Sequence, residues 1–243
     1  VVIVGRHAGL AERHGGLGVL SRSEADNVAA LEAEHPNLRV ALEWGISRPE
    51  RAGDAYRLIV ALTQFWQVRG YIREGMNWFT QFLSADRQIP LPMRLNGLLR
   101  ASFIAVHAKD ISTARRYVEE ALELGQGLDD PEWLANALFH QGWLALNEGA
   151  LEKADCLITQ KLVLSEQSRD RWETAIDLYM RGNVAYLRGD YRLARVSIEE
   201  SLALCRQIDY QAAAIRRLAR LAQICQIEGD LAAARHLTEE ALR

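Results

Sequence analysis

The sequence predicts an all-α fold, a right-handed α-solenoid of antiparallel helix pairs, with about six pairs and a 40-residue period. Three observations carry that reading. Turn signals recur at Lys109-Asp110, Gly149-Ala150, Gly189-Asp190 and Gly229-Asp230, 40 residues apart each time, and Gly70-Tyr71 stands 39 residues before Lys109. Small residues recur in the same frame on both sides of the turn. The composition is rich in the strong helix formers Ala, Leu, Glu and Arg and holds only 5 prolines.

Each turn ends a helix A and starts a helix B. Glycine there supplies the left-handed conformation that closes helix A, and Asp110, Asp190 and Asp230 can accept from the free N–H groups that open helix B. One residue after the Asp position come the apolar Ile72, Ile111, Leu151, Tyr191 and Leu231. Three further on lie Gly75, Ala114, Ala154, Ala194 and Ala234, where two antiparallel helices must approach closely. Eight further again, Leu83, Leu122, Leu162, Leu202 and Leu242 are expected to bury toward the next repeat. On helix A the small residues Thr63, Ser102, Gly142, Gly182 and Ala222 stand seven before each turn residue. A lone helix of about 15 residues is marginal in water, so the pairs must stack to be stable.

The frame divides residues 51–243 into repeats at 51–88, 92–127, 131–168, 171–208 and 210–243. Residues 1–50 form an N-terminal helical segment, read as a linker from a preceding domain. Within it Ser23 to Glu34 reads as a capped helix, Pro36-Asn37 as a break, and Leu38 to Ile46 as a second helix, giving an off-register pair.

The net charge of -3, from 29 basic and 32 acidic residues, gives no whole-domain field for nucleic acid or an anionic membrane, so neither is an expected partner of this segment. Cys156, Cys205 and Cys225 match no zinc spacing and are odd in number, which points to a reduced, cytoplasmic setting and to small core residues. The opening Val1-Val2-Ile3-Val4 lacks the basic region and length of a signal peptide. A chain that opens on Val and stops within the helical pattern Glu239-Glu240-Ala241-Leu242-Arg243 reads as a piece of something longer.

The small–turn–Ala–Leu frame resembles the tetratricopeptide repeat over about residues 55–243, most closely from Leu178 through Leu204 with Gly182, Tyr191 and Ala194. The period of 40 is longer than that family's, and its usual proline closing helix B is absent. A second resemblance lies in Leu31-Glu32-Ala33-Glu34-His35-Pro36-Asn37-Leu38-Arg39 with Ala41-Leu42-Glu43-Trp44, and in Phe65-Trp66-Gln67-Val68-Arg69-Gly70-Tyr71-Ile72-Arg73-Glu74-Gly75 with Trp78. These stretches look like the start of the helical-repeat sensor region in large bacterial transcription regulators that carry a STAND-type ATPase, including LuxR-type activators. Residues 6–85 match best. In that family an ATPase and a winged helix precede the region and a DNA-binding helix-turn-helix often follows it. Gly15-Gly16-Leu17-Gly18 lacks the Lys of a phosphate-binding loop, so no ATPase is expected within this chain.

The resemblance implies a concave groove lined by helix A. Arg57, Val60, Gln64 and Gln67 line it in the first unit, then Asn96, Leu99, Arg100, Phe103 and His107. Asn136, Phe139, His140, Trp143 and Asn147 follow, then Tyr179, Asn183 and Tyr186, and last Arg216, Arg220 and Gln223. The aromatic rings suit stacking on a peptide or a flat small-molecule effector and the amides supply paired donors and acceptors; alternatively the rings only fill a tight superhelix. Arg216 and Arg220, four apart, either clamp a carboxylate or phosphate or pair with acids such as Glu199 and Glu200. His107 and His140 have no partner at metal-ligand spacing, and Trp44, Trp66 and Trp78 read as a satellite core. No nucleophile elbow or set-apart carboxylate pair occurs, so neither catalysis, nor a cofactor, nor a metal is expected. The sequence therefore favours a non-catalytic recognition scaffold, the effector-sensing and protein-interaction region of a larger regulator that also contacts the other domains of its parent chain. The alternative is a stand-alone adaptor holding a peptide or partner protein in the groove.

Overall fold

The computed structural model describes residues 23–84 and 89–242; the Val1–Val4 run and the Gly15–Gly18 stretch lie outside them. All regular structure among the described residues is helical. Helix α1 is Ser23–Ile46, followed by a 3-10 turn at Pro49–Arg51. Five antiparallel pairs come next: α2 (Ala52–Arg69) with α3 (Ile72–Ser84), α4 (Leu91–His107) with α5 (Ile111–Leu124), α6 (Pro131–Glu148) with α7 (Leu151–Ser168), α8 (Arg171–Leu187) with α9 (Tyr191–Gln207), and α10 (Gln211–Glu228) with α11 (Leu231–Ala241). Contacts divide the chain into two compact units, one up to His140 and one from Gln141 onward.

The turn residues behave as their chemistry requires. Gly70, Gly149, Gly189 and Gly229 all have φ between +75° and +84°. Lys109 takes the same left-handed conformation at φ 63° without glycine's freedom, a strained choice for an L side chain. Asp110, Asp190 and Asp230 each cap the next helix, accepting from the N–H of Thr113, Leu193 and Ala233. Where the frame has Ala150 instead, helix α7 starts without a side-chain cap.

The small frame positions mark the closest approach of helix A to helix B. A Cβ added to Gly182 would fall 2.4 Å from Ile198 Cγ1, and one on Gly142 2.9 Å from Ile158 Cγ1. Ala154 and Ala194 opposite them are fully buried. Leu83, Leu162 and Leu202 are buried as expected, whereas Leu242 is 83% exposed because no described helix packs beyond α11.

In the first unit, Leu31, Leu38 and Leu42 of α1 join Leu58, Phe65 and Trp66 of α2 and Phe79 and Phe82 of α3 in one apolar core. Trp66 and Trp78 belong to this main core, not to a satellite, and Trp44 packs on its edge beneath the Arg48 guanidinium, 4.4 Å from the ring centre. In the second unit Ile198, Leu202, Leu218, Leu221 and Ile224 form one cluster, and Ala175, Cys205, Tyr210 and Ala213 another. Cys205 and Cys225 are buried, but Cys156 is exposed, because its place on α7 faces away from both neighbouring helices.

The expected break at Pro36-Asn37 does not occur: α1 is one 24-residue helix with Pro36 inside it, and a single helix replaces the off-register pair. An internal proline costs a helix about 3 kcal/mol through a lost N–H and a ring clash. Tertiary contacts on both sides of Pro36 offset that cost. Glu74, at the start of α3, accepts from Arg39 Nε at 2.9 Å, meets His35 Nε2 at 3.0 Å and accepts from Trp78 Nε1 at 3.3 Å. Glu32, one turn before the proline, accepts from the Tyr71 hydroxyl at 2.8 Å and pairs with Arg69 at 3.1 Å. His35 stacks on Tyr71 with ring centres 4.8 Å apart and meets the Phe65 edge at 5.1 Å. The α2–α3 turn thus grips α1 before, at and after Pro36.

Two outcomes follow from this packing. Gly182→Val forces Ile198 from its place and is expected to cost about 2–3 kcal/mol, read by urea denaturation, with partial recovery in the Gly182→Val/Ile198→Ala double variant. Burial pushes the Glu74 carboxyl up, but the bonds from Arg39, Trp78 and His35 outweigh it and hold the group below its ordinary value. A carboxyl depressed on folding contributes stability above its unfolded pKa, about 4.3, and loses it as the pH falls through the folded value. Glu74→Gln is therefore expected to cost about 1–2 kcal/mol near neutrality and progressively less as the pH drops below about 4, measured by denaturation across that range.

Candidate functional site

The expected groove residues fall into two sets, one in each unit. In the first unit α4 supplies Asn96, Arg100, Phe103 and His107, and the first half of α6 supplies Asn136, Phe139 and His140. Arg100 Nε donates to Asn96 Oδ1 at 3.3 Å. Phe103 meets His107 at 4.6 Å and His140 edge-on at 6.3 Å, and Phe139 meets His140 at 5.2 Å, all between ring centres. His107 is exposed, its Nδ1 2.8 Å from the Phe103 carbonyl oxygen. A cavity of about 200 Å³ opens between α4 and α6, lined by the polar Asn96, Asn136, Asp130 and Glu132 and by apolar residues that include Leu95, Leu99 and Trp133. Asn96 and Asn136 hold the same frame position in successive repeats, so the repeat brings two amides to one cavity.

His140 is buried, and its Nδ1 has no protein partner. Burial first, and the nearby Arg100 charge second, pull its pKa down to about 3. Near neutrality it is an uncharged ring, suited to one neutral hydrogen bond and not to binding an anion. Among the described residues no group of three or more His, Cys, Asp or Glu side chains is arranged to hold a metal ion.

In the second unit the set comprises Trp143 and Asn147 of α6, Tyr179, Asn183 and Tyr186 of α8, and Arg216 and Arg220 of α10. Asn147 and Asn183 each donate to the carbonyl one turn back, Trp143 at 2.8 Å and Tyr179 at 2.9 Å. One face of each of these tyrosine rings is covered by an arginine. Arg217 lies over Tyr179 with 4.2 Å from guanidinium carbon to ring centre, and Arg220 over Tyr186 with 4.5 Å. Arg220 donates to Gln223 Oε1 at 2.9 Å, while Glu199 pairs with Arg195 at 3.7 Å. Arg216 is exposed.

Two buried polar groups escaped the sequence reading. Lys161 of α7 donates to Asp177 at 3.0 Å and Glu173 at 2.6 Å of α8, with Ser165 bonded to Asp177 as well. Burial pushes the Asp177 carboxyl up, and the Lys161 ammonium only partly opposes it. Arg217, 2% exposed, donates to Ser201 Oγ at 3.0 Å and to the Ala213 and Ala175 carbonyls at 3.2 Å each. The signal was available: Asp177 and Arg217 share one frame position, 40 residues apart, where charge is out of place on an inward face.

No family model matches the chain. Proteins of Mycobacterium tuberculosis and Mycobacterium bovis, provisionally named as HTH-type transcriptional regulators, are 26% identical over 210 residues; the match covers 80% of this chain and 23% of theirs. The chain thus spans about a quarter of the length of these curated relatives. Among solved structures, a Rap protein complexed with Competence and Sporulation Factor superposes with a TM-score of 0.69 at 13% identity, covering 99% of this chain and 74% of that one. BtubC from P. vanneervenii gives 0.63 at 16% identity, covering 99% and 90%. A STAND protein with a tetratricopeptide repeat sensor from Pyrococcus horikoshii gives 0.63 at 12%, covering 89% and 33%. The fold is that of a tetratricopeptide-type helical repeat. The frame of turn, small residue and leucine is this repeat's local grammar, stretched here to a 40-residue period. No described helix is long and apolar enough to cross a membrane.

His140 gives a pH test of the first unit. A histidine whose folded pKa lies below its unfolded value of about 6.5 binds fewer protons when folded, so stability falls as the pH drops from about 6.5 toward the folded value, by up to about 1.4 kcal/mol per pH unit. His140→Gln is expected to flatten the stability profile between about pH 6.5 and about pH 4.5, and the His140 ring signals in NMR are expected not to titrate across that interval.

Proposed function

We propose that this chain is the effector-sensing and protein-interaction region of a larger, cytoplasmic bacterial transcription regulator, acting without catalysis of its own. The observation that carries the reading is the likeness to HTH-type regulators along 80% of this chain and only 23% of their length, which gives the segment the character of one module among several. The STAND protein from Pyrococcus horikoshii, whose repeat has this fold, supports the same reading. The Rap protein complexed with Competence and Sporulation Factor supports a peptide or small effector as the ligand.

The helix A surfaces serve as the recognition face. In the first unit the Asn96 and Asn136 amides share a cavity with apolar Leu95, Leu99 and Trp133 and with the Asp130 and Glu132 carboxylates, a combination that fits the N–H-rich backbone of a peptide or a polar effector without negative charge. An effector that binds one arrangement of the repeat more tightly shifts the parent between resting and active states by that difference in affinity. The turn grip on α1 gives the shift a route, because α1 leads toward the part of the parent that precedes the repeat.

The test uses the full-length parent. Its reading frame is expected to encode an ATPase before this segment and a DNA-binding domain after it, and the absence of both removes the proposal. In a transcription reporter, the Asn96→Ala/Asn136→Ala variant is expected to lose inducer response by about tenfold while its basal output and thermal stability stay near those of the wild type. An unchanged response places recognition elsewhere.

A further inference from the structure

Helix α10 carries Arg216, Arg217 and Arg220 and a single acidic residue, Glu228 at its end, which is taken by Arg195. Four other described arginines of the second unit have carboxylate partners, among them Arg188 with Asp155 at 2.8 Å, Arg235 with Glu239 at 2.8 Å, and Arg206 with Glu240. Among the described residues the three on α10 enter no ion pair. Their placement is ordered all the same. Arg217 is buried, bonded to Ser201 and two backbone carbonyls, and lies over the Tyr179 ring; Arg220 lies over the Tyr186 ring. Arginine does not deprotonate in a protein, so burial lowers the Arg217 pKa without removing its charge.

Stacking on a ring leaves the edge of a guanidinium for hydrogen bonds; Ser201 and two carbonyls take up the Arg217 edge and Gln223 takes Arg220 Nη1, so Arg216 and the remaining Arg220 N–H groups are the donors for a planar acceptor. Arg216 is exposed and one helical turn from Arg220, so two cations share one face with a third charge fixed behind them. A neutral ligand gains nothing from that arrangement. A carboxylate gains from all three, and the stacked geometry lowers the ordering cost of binding it. Beside the arginines, Tyr179, Asn183 and Tyr186 of α8 give an aromatic and amide surface that suits the backbone and Cβ groups of a polypeptide and adds nothing for a bare anion.

We propose that the α8–α10 face binds an acidic peptide segment, with Arg216 and Arg220 gripping a carboxylate and Arg217 holding a fixed positive charge behind them. This inference rests on the reading of the helix A surfaces as a recognition face and names the ligand chemistry for the second unit.

The test is fluorescence anisotropy of the whole chain with a labelled hexapeptide Ser-Glu-Ser-Ser-Glu-Ser and its glutamine counterpart. The glutamate peptide is expected to bind at least about tenfold more tightly than the glutamine peptide, and to lose at least about tenfold in the Arg216→Gln/Arg220→Gln variant. Neither of these side chains is buried, so circular dichroism and thermal melting of the variant are expected to match the wild type. Rising salt is expected to weaken the glutamate peptide alone. Equal binding of the two peptides, with loss of both in Asn183→Ala, overturns the acidic choice and leaves the recognition face standing. Displacement of the peptide by equimolar inorganic phosphate reassigns the face to a free anion and overturns the peptide. Binding of neither peptide overturns the inference, and the response of the Asn96→Ala/Asn136→Ala reporter then decides whether the broader reading survives.

Discussion

In the third and fourth pairs, helix A and helix B meet at a residue too small to hold them apart. Gly182 against Ile198 and Gly142 against Ile158 leave no room for a Cβ without displacement, and interiors packed at crystal density transmit such a displacement instead of absorbing it. This approach fixes the rotation of helix A about its own axis. Once the glycine or alanine side of helix A is committed to helix B, Tyr179, Asn183 and Tyr186, at positions i, i+4 and i+7, are left on one other side of the helix, the proposed recognition face. The left-handed turn seven residues later sets where helix B begins, so the steric constraint and the turn together fix the register of a repeat.

Register between pairs has a separate origin. At three of the joints the residue twelve after one turn meets the residue twelve before the next, and each solves that meeting differently. Phe82 packs against the bare backbone of Gly97, where a Cβ would lie 3.6 Å from Phe82 Cε1. Ala121 and Ala137 hold the equivalent positions next. Lys161 then meets Asp177 at 3.0 Å, and Ser201 meets Arg217 at 3.0 Å. Large meets absent, small matches small, cation meets anion, and a hydroxyl accepts from a guanidinium. Exchanging any one member for its counterpart in another joint creates a clash, a cavity or an unpaired buried charge, and the last of these is the most costly. Buried polar joints are thus a poor source of raw stability and an effective device against stacking in the wrong order.

The sequence made the repeat legible because turns and small residues obey local rules. Asp110, Asp190 and Asp230 cap helices wherever the chain places them, and glycine takes φ near +80° at a cost no other residue matches. Pro36 runs against its local rule, since the contacts that hold α1 together come from Glu74, 38 residues further along. For the proposed recognition surfaces the sequence supplied frame positions and not the neighbours that set their chemistry. Helix A spacing assigned Tyr179 and Tyr186 to one face, but Arg217 and Arg220, which cover their rings, come from the next repeat. Cys156 and Leu242 show the same limit: a frame says which residues are equivalent, and only the neighbours decide whether equivalents are equally buried.

Arg217 belongs to two systems at once. Through Ser201 and the Ala175 carbonyl it is part of the joint between the last two pairs, and through Tyr179 it is part of the floor of the α8–α10 face. A buried charge held by neutral acceptors alone is poised to respond to any anion that arrives nearby, because the anion relieves the electrostatic cost of keeping that charge away from water. Binding at Arg216 and Arg220, as proposed, therefore changes the energy of the joint without touching it. On that proposal, occupancy of the face reaches the packing of adjacent repeats through side chains already in contact.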